Sequence, residues 1–186
     1  AINLLKERIK HENNLTKADY NKLKYQDKID WGSFSSICDD MDILEKHQDK
    51  LDSEFVALNL NAMEYIKKYK DKTDWDVLSK NPNAIELLKE NKKKINWSCL
   101  SANPNAIELL KKNKRKIDWH ILSFNPNAID LLEEYPNKID WQHLSYNPNA
   151  IKLLKKRIKY EKMLDSSVFD ANTNNIDWTV LSLNPS

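Results

Sequence analysis

A single glycine, Gly32, stands among 186 residues. Turns and bulges that need a positive φ draw on glycine, so a β-rich sandwich or barrel and a glycine loop that cradles phosphate are both excluded. Cysteine is nearly as scarce. Cys38 and Cys99 belong to no C-x-x-C or Cys/His group, which rules out a disulfide framework and a thiolate zinc site and suits a reducing compartment. No stretch is apolar over the length a membrane span requires, and no signal-peptide pattern opens the chain. A dominant charge is missing too: 30 Lys+Arg against 28 Asp+Glu leave +2, so only local basic patches could meet a polyanion. These absences describe a soluble, intracellular, all-α chain without a membrane segment.

What the chain does have is a period. Trp75, Trp97, Trp119 and Trp141 are spaced by 22 residues, and stepping back from Trp75 reaches Ser53 and then Trp31. Self-similarity at this interval marks stacked supersecondary units rather than a closed globular core. With the Trp as position 1, the regular unit reads W-x-x-L-S-x-N-P-N-A-I-x-L-L and closes with a Lys-rich stretch ending in K-I-D. Asp at position 22 (Asp52, Asp74, Asp118, Asp140, Asp177; Asn96 once) is suited to cap a short helix that begins at the Trp. Asn-Pro at positions 7 and 8 repeats the signal for a second helix. The fold class is therefore an α-solenoid of short, 22-residue helical hairpins, with the tryptophans and leucines as its shared core.

The segments follow from the register. Residues 1–30 end a preceding repeat with a long helix and an insertion, 31–74 hold two degenerate repeats without the Pro, and 75–154 hold four regular ones, the last lengthened. Residues 155–177 form a second insertion and 178–186 start a further repeat. The matched pair Ala1–Leu15 and Ala150–Leu164 predicts a lengthened second helix at both places, each followed by a polar excursion or extra short helix, around 16–28 and 165–176. The chain begins at position 10 of one unit and ends at position 9 of another, as a piece of a longer array would. Leucine-rich repeats share the period and L-x-x-L-S-x-N, but the Pro and the helical A-I-x-L-L-K run disfavour them.

The motif W-x-x-L-S-x-N-P-N-A-I-x-L-L with K-I-D resembles the N-P-N-A-I repeat proteins of giant nucleocytoplasmic large DNA viruses, closely over 75–154 and 176–185 and by register alone over 31–74. The resemblance implies a viral repeat protein in the virion or in a viral factory of the host cytoplasm, with other virion proteins among its partners. It carries over no catalytic or binding residue.

Candidate sites rest on the residues that stacking leaves free. Positions 2 and 6 share a face of the first helix, and in two adjacent copies they place His120, Phe124, Gln142 and Tyr146 in a small aromatic and polar patch for a protein partner. Packing of Phe124 and Tyr146 on Ile129 and Ile151 as hydrophobic staples is the alternative. A second partner class is nucleic acid, contacted by Lys111, Lys112, Lys114, Arg115 and Lys116 at a helix end, with the tryptophans as a stacking ladder. Solvated cations complementing the helix dipole account for the same run. Asp39, Asp40, Asp42 and Glu45 read as an acidic surface patch, not a cation site. His11, His47, His120 and His143 lie at different repeat positions and pair with no thiol, so no catalytic residue, metal ligand set or cofactor is expected.

Overall fold

The computed structural model describes residues 2–24, 28–161, 176 and 179. Most of the insertion after residue 161 and of the unit expected at 178–186 therefore lies outside the described residues. The chain divides into two compact units, Ala1–Asp74 and Trp75–Ser186. Every regular element among the described residues is helical, which closes the leucine-rich alternative, since that architecture needs a strand in each repeat.

In the first unit α1 (Ile2–Asn13) and α2 (Lys17–Lys22) precede the hairpin α3 (Trp31–Ile37)/α4 (Met41–Lys46) and the hairpin α5 (Ser53–Leu58)/α6 (Met63–Lys68). Helices of equivalent position stack, α3 on α5 and α4 on α6. In the second unit the hairpins are α7 (Trp75–Leu78)/α8 (Ile85–Glu90), α9 (Trp97–Ser101)/α10 (Ile107–Lys111), α11 (Trp119–Phe124)/α12 (Ile129–Glu134) and α13 (Trp141–Leu144)/α14 (Ile151–Glu161). There α11 packs between α9 and α13. At 12 and 11 residues, α1 and α14 are about twice the length of the other second helices.

The position-22 side chain caps the first helices α3, α5, α9, α11 and α13. Asp118 accepts from the Ile121 N–H, Asp140 from His143 and Asn96 from Cys99. The exit from the helix is equally local. The residue before a proline is driven out of the α region, and Asn125 sits at φ −71°, ψ 118°, an extended conformation that stops α11. No described residue has a positive φ, so the turns are made without the left-handed conformation that glycine supplies.

The second helix begins later than the Asn-Pro signal implies. Its first residue is the Ile at position 11, while Pro82–Ala84 forms a separate 3₁₀ turn and Ala84, Ala106 and Ala128 occupy the cap position without a side-chain bond. The reason is where the Asn goes. Its Oδ1 accepts from the N–H two residues on, closing a tight turn around the Pro (Asn127 N–H to Asn125, 3.0 Å). Its Nδ2 then donates one period back: Asn125 to the carbonyls of Ser101 (3.0 Å) and Asn103 (2.9 Å), Asn147 to those of Ser123 and Asn125, and Asn103 to those of Ser79 and Asn81. These asparagines are at most 1% exposed. The position-7 Asn is thus a rung of a buried inter-repeat ladder as well as a turn former.

Serine at position 5 ties the first helix of a copy to the position-22 residue that caps the next. Ser123 Oγ donates to the Trp119 carbonyl and accepts from the Asp140 N–H, with the same pattern at Ser101 and Ser79. Ser35 repeats it in the first unit, but Ala57, buried at position 5 of the Ser53 copy, has no hydroxyl with which to do so.

The apolar core is a set of leucine columns. Leu78, Leu100, Leu122 and Leu144 at position 4 and Leu88, Leu110, Leu132 and Leu154 at position 14 are fully buried, with Ala84, Ala106, Ala128 and Ala150 between them. Tryptophan does not belong to it. Trp75, Trp97, Trp119 and Trp141 are half-buried at the rim, and a lysine from the same copy lies over the ring, Lys94 on Trp75 and Lys116 on Trp97, each at 4.6 Å. An ammonium over the face of an indole is favourable in water-exposed surroundings, and at Trp119 the ring of Tyr135 lies beside the indole, centroids 5.2 Å apart. Trp119→Ala is therefore expected to lose about 1–2 kcal/mol in chemical denaturation, less than the ~3–5 kcal/mol of a core Trp.

Candidate functional site

The position-22 residue, which caps the first helix of the next unit, is within reach of the position-2 side chain of its own copy. Ser98 Oγ donates to Asp118 Oδ2 at 2.7 Å by this geometry. In the next copy position 2 is His120, and its Nδ1 contacts Asp140 Oδ2. Position 3, which is Val77, Cys99 and Ile121 in the other regular units, is His143 in the unit that begins at Trp141. Its Nδ1 reaches the same Asp140 Oδ2 at 2.7 Å. Asp140 is buried, His143 half-buried and His120 exposed. Among the described residues this is the one group of three His, Cys, Asp or Glu side chains whose ligand atoms converge, all within 4.8 Å. The histidines, unpaired in the sequence, thus meet in space.

The aromatic rings continue the cluster. His143 stands edge-on to Phe124 with centroids 4.5 Å apart and interplanar angle 83°, and the His120 ring is 5.3 Å from that of His143. Phe124 and Tyr146 lie 5.5 Å apart, 37% and 52% exposed. They form an open pair on the surface. Gln142 is exposed on α13 but its side chain makes no bond in the cluster; the polar partner beside the rings is His143. Burial pushes the Asp140 carboxyl up, yet the His143 N–H and the two imidazoles outweigh it and hold the group below its ordinary range.

No family model, curated protein or solved structure matches the chain. What the site can do follows from its own geometry.

The basic run is placed differently. Lys111 pairs with Glu108 at 3.3 Å, Lys114 is engaged by Glu134 and the Tyr135 hydroxyl, and Lys116 covers Trp97. Lys112 and Arg115 are exposed. Lys114–Lys116 forms a 3₁₀ turn equivalent to Lys92–Lys94 one period earlier, giving a repeated basic edge whose charges are partly spent on neighbours. In the acidic segment, Asp40 caps α4 and pairs with Lys6 at 2.6 Å, and Glu45 pairs with Lys68 at 2.6 Å, so these carboxylates are matched by lysines of adjoining elements. No helix among the described residues is long and apolar enough to cross a membrane.

His143 and Asp140 are the site residues that sequence reasoning missed. The signal available was a histidine at position 3, where the other regular copies carry Val77, Cys99 and Ile121.

Proposed function

We propose that the chain is a non-enzymatic repeat scaffold that binds a protein partner through the surface formed by Phe124, Tyr146, His120 and His143. The observation that carries this reading is the pair of rings left side by side and exposed on a stack whose interior is closed by leucine columns and asparagine rungs. Aromatic residues flanked by polar groups are the type enriched at interface hot spots, and a rigid support lowers the entropic cost of docking. The resemblance of N-P-N-A-I to giant-virus repeats supports a place as a structural or assembly component of a large DNA virus particle or viral factory.

A nucleic-acid role is the second reading, favoured by the basic edge of Lys92–Lys94 and Lys114–Lys116. The two separate by salt and by site. A Phe124→Ala, Tyr146→Ala double variant is expected to keep its melting behaviour, because both rings are exposed, while capture of a protein from infected or expressing cells falls at least about tenfold, the usual loss on removing hot-spot side chains. Capture that persists in the double variant but vanishes with nuclease or moderate salt would instead favour phosphate contacts by the lysines.

A further inference from the structure

The convergence of His120 and His143 on Asp140 has a chemistry that the aromatic surface does not use. Two imidazole nitrogens and one carboxylate oxygen form a donor set for zinc and its first-row neighbours rather than for calcium or magnesium, which take oxygen ligands. Three protein ligands with a fourth position open is a known zinc arrangement.

Three features of the structure favour a cation over mutual hydrogen bonding alone. First, His143 Nδ1 is buried with Asp140 Oδ2 at 2.7 Å, yet no group meets the full geometry of a hydrogen bond to it. Second, Asp140 Oδ1 is held by the His143 backbone N–H at 2.9 Å and the Asp140 backbone is tied to Ser123, so the carboxylate is fixed from behind. Phe124, edge-on at 4.5 Å, fixes the His143 ring in the same way. Second-shell constraint of this kind is what orients ligands before a metal arrives. Third, the capping role does not require histidine. Asp118 caps its helix equally well with Ser98 at position 2 and Ile121 at position 3.

We infer that His120, Asp140 and His143 form a binding site for a zinc-class divalent cation, with the open coordination position on the solvent side beside Phe124 and Tyr146. The donor atoms lie within 4.8 Å of one another. A tetrahedral ion with bonds of ~2.0 Å spaces its donors about 3.3 Å apart, so binding requires the exposed His120 to swing away from Asp140 and the His143 ring, now 2.7 Å from Asp140 Oδ2, to turn outward by about half an ångström. The inference stands whether or not a protein docks on the aromatic pair.

The test uses the whole chain, freed of metal with a chelator and titrated with Co²⁺ alone, followed by competition with Zn²⁺. One Co²⁺ per chain is expected, with a visible d–d absorption that Zn²⁺ abolishes, and Zn²⁺ should raise the melting midpoint. His143→Ile and His120→Ser restore residues that other copies carry at the same positions, so both variants should fold, as melting in chelator will show. Each is expected to lose the absorption and the Zn²⁺-induced shift in melting. Absence of stoichiometric uptake by the unaltered chain overturns the inference. So does uptake that survives in either variant, which would remove that histidine from the site.

Discussion

Asn125→Asp should lose on the order of 3–5 kcal/mol at neutral pH, although the substitution is nearly isosteric. If Asn125 only shaped its local turn, the change would be almost neutral, because Asp is as good an acceptor for the N–H two residues on. The structure assigns it two further bonds, donated by Nδ2 to the Ser101 and Asn103 carbonyls from a position 1% exposed. In the variant a second carboxylate oxygen faces those two carbonyls, in place of a donor. The side chain can escape only by taking up a proton, so its folded pKa is raised above the unfolded value of about 3.9. Between those two values the native state binds more protons than the unfolded one, and stability must fall as pH rises through that window. Chemical denaturation at pH 4 and pH 7 reads this directly: equal stability to the parent at both would return Asn125 to a turn residue alone.

Leu110→Ala should be comparably costly, about 3–5 kcal/mol, since the side chain is fully buried in the middle of its column between Leu88 and Leu132. The void cannot easily collapse, because the backbones on both sides are pinned by the Asn103 and Asn125 rungs. Neighbour coupling holds a repeat stack together, so the weakened interface should split or broaden the unfolding transition rather than only shift it. A single transition of undiminished midpoint and sharpness would mean that the column is not the principal core. Measured beside Trp119→Ala, the pair ranks leucine above tryptophan in this fold.

The hairpins were legible because a helix cap is a local device: Asp118 and Asp140 each bond an N–H three residues away, and a 22-residue period exposes such devices by repetition. The Asn rung was less legible for the opposite reason. Asn125 has a sufficient local role in the turn at Pro126, so the sequence offers no hint that its amide also spans to a unit 22 residues earlier. Tryptophan misleads through its size. Hydrophobicity places Trp97 inside, whereas the actual arrangement leaves it at the rim under the Lys116 ammonium. The candidate surface was half legible: positions 2 and 6 of adjacent units do lie together, since hairpins stack in register, and Phe124 stands beside Tyr146. His143 was hidden because position 3 is apolar in the other regular copies, and an exception in one copy carries no period to reveal it.

The rungs all point one way. Asn103 donates to the copy before it, Asn125 to the copy of Asn103, and Asn147 to the copy of Asn125, while the serine link runs through the following Asp or Asn N–H. One face of a hairpin thus offers amides and the opposite face offers carbonyls, so contact between hairpins is heterologous, and two identical faces brought together by a two-fold axis could not reproduce it. Growth of such a stack is vectorial, and it is quantised. Adding or deleting one whole 22-residue copy re-forms every rung, whereas a change of length between the Ser and the Asn of a copy displaces the amide from its two carbonyls, so shorter changes belong outside that stretch, as the lengthening of α1 and α14 does.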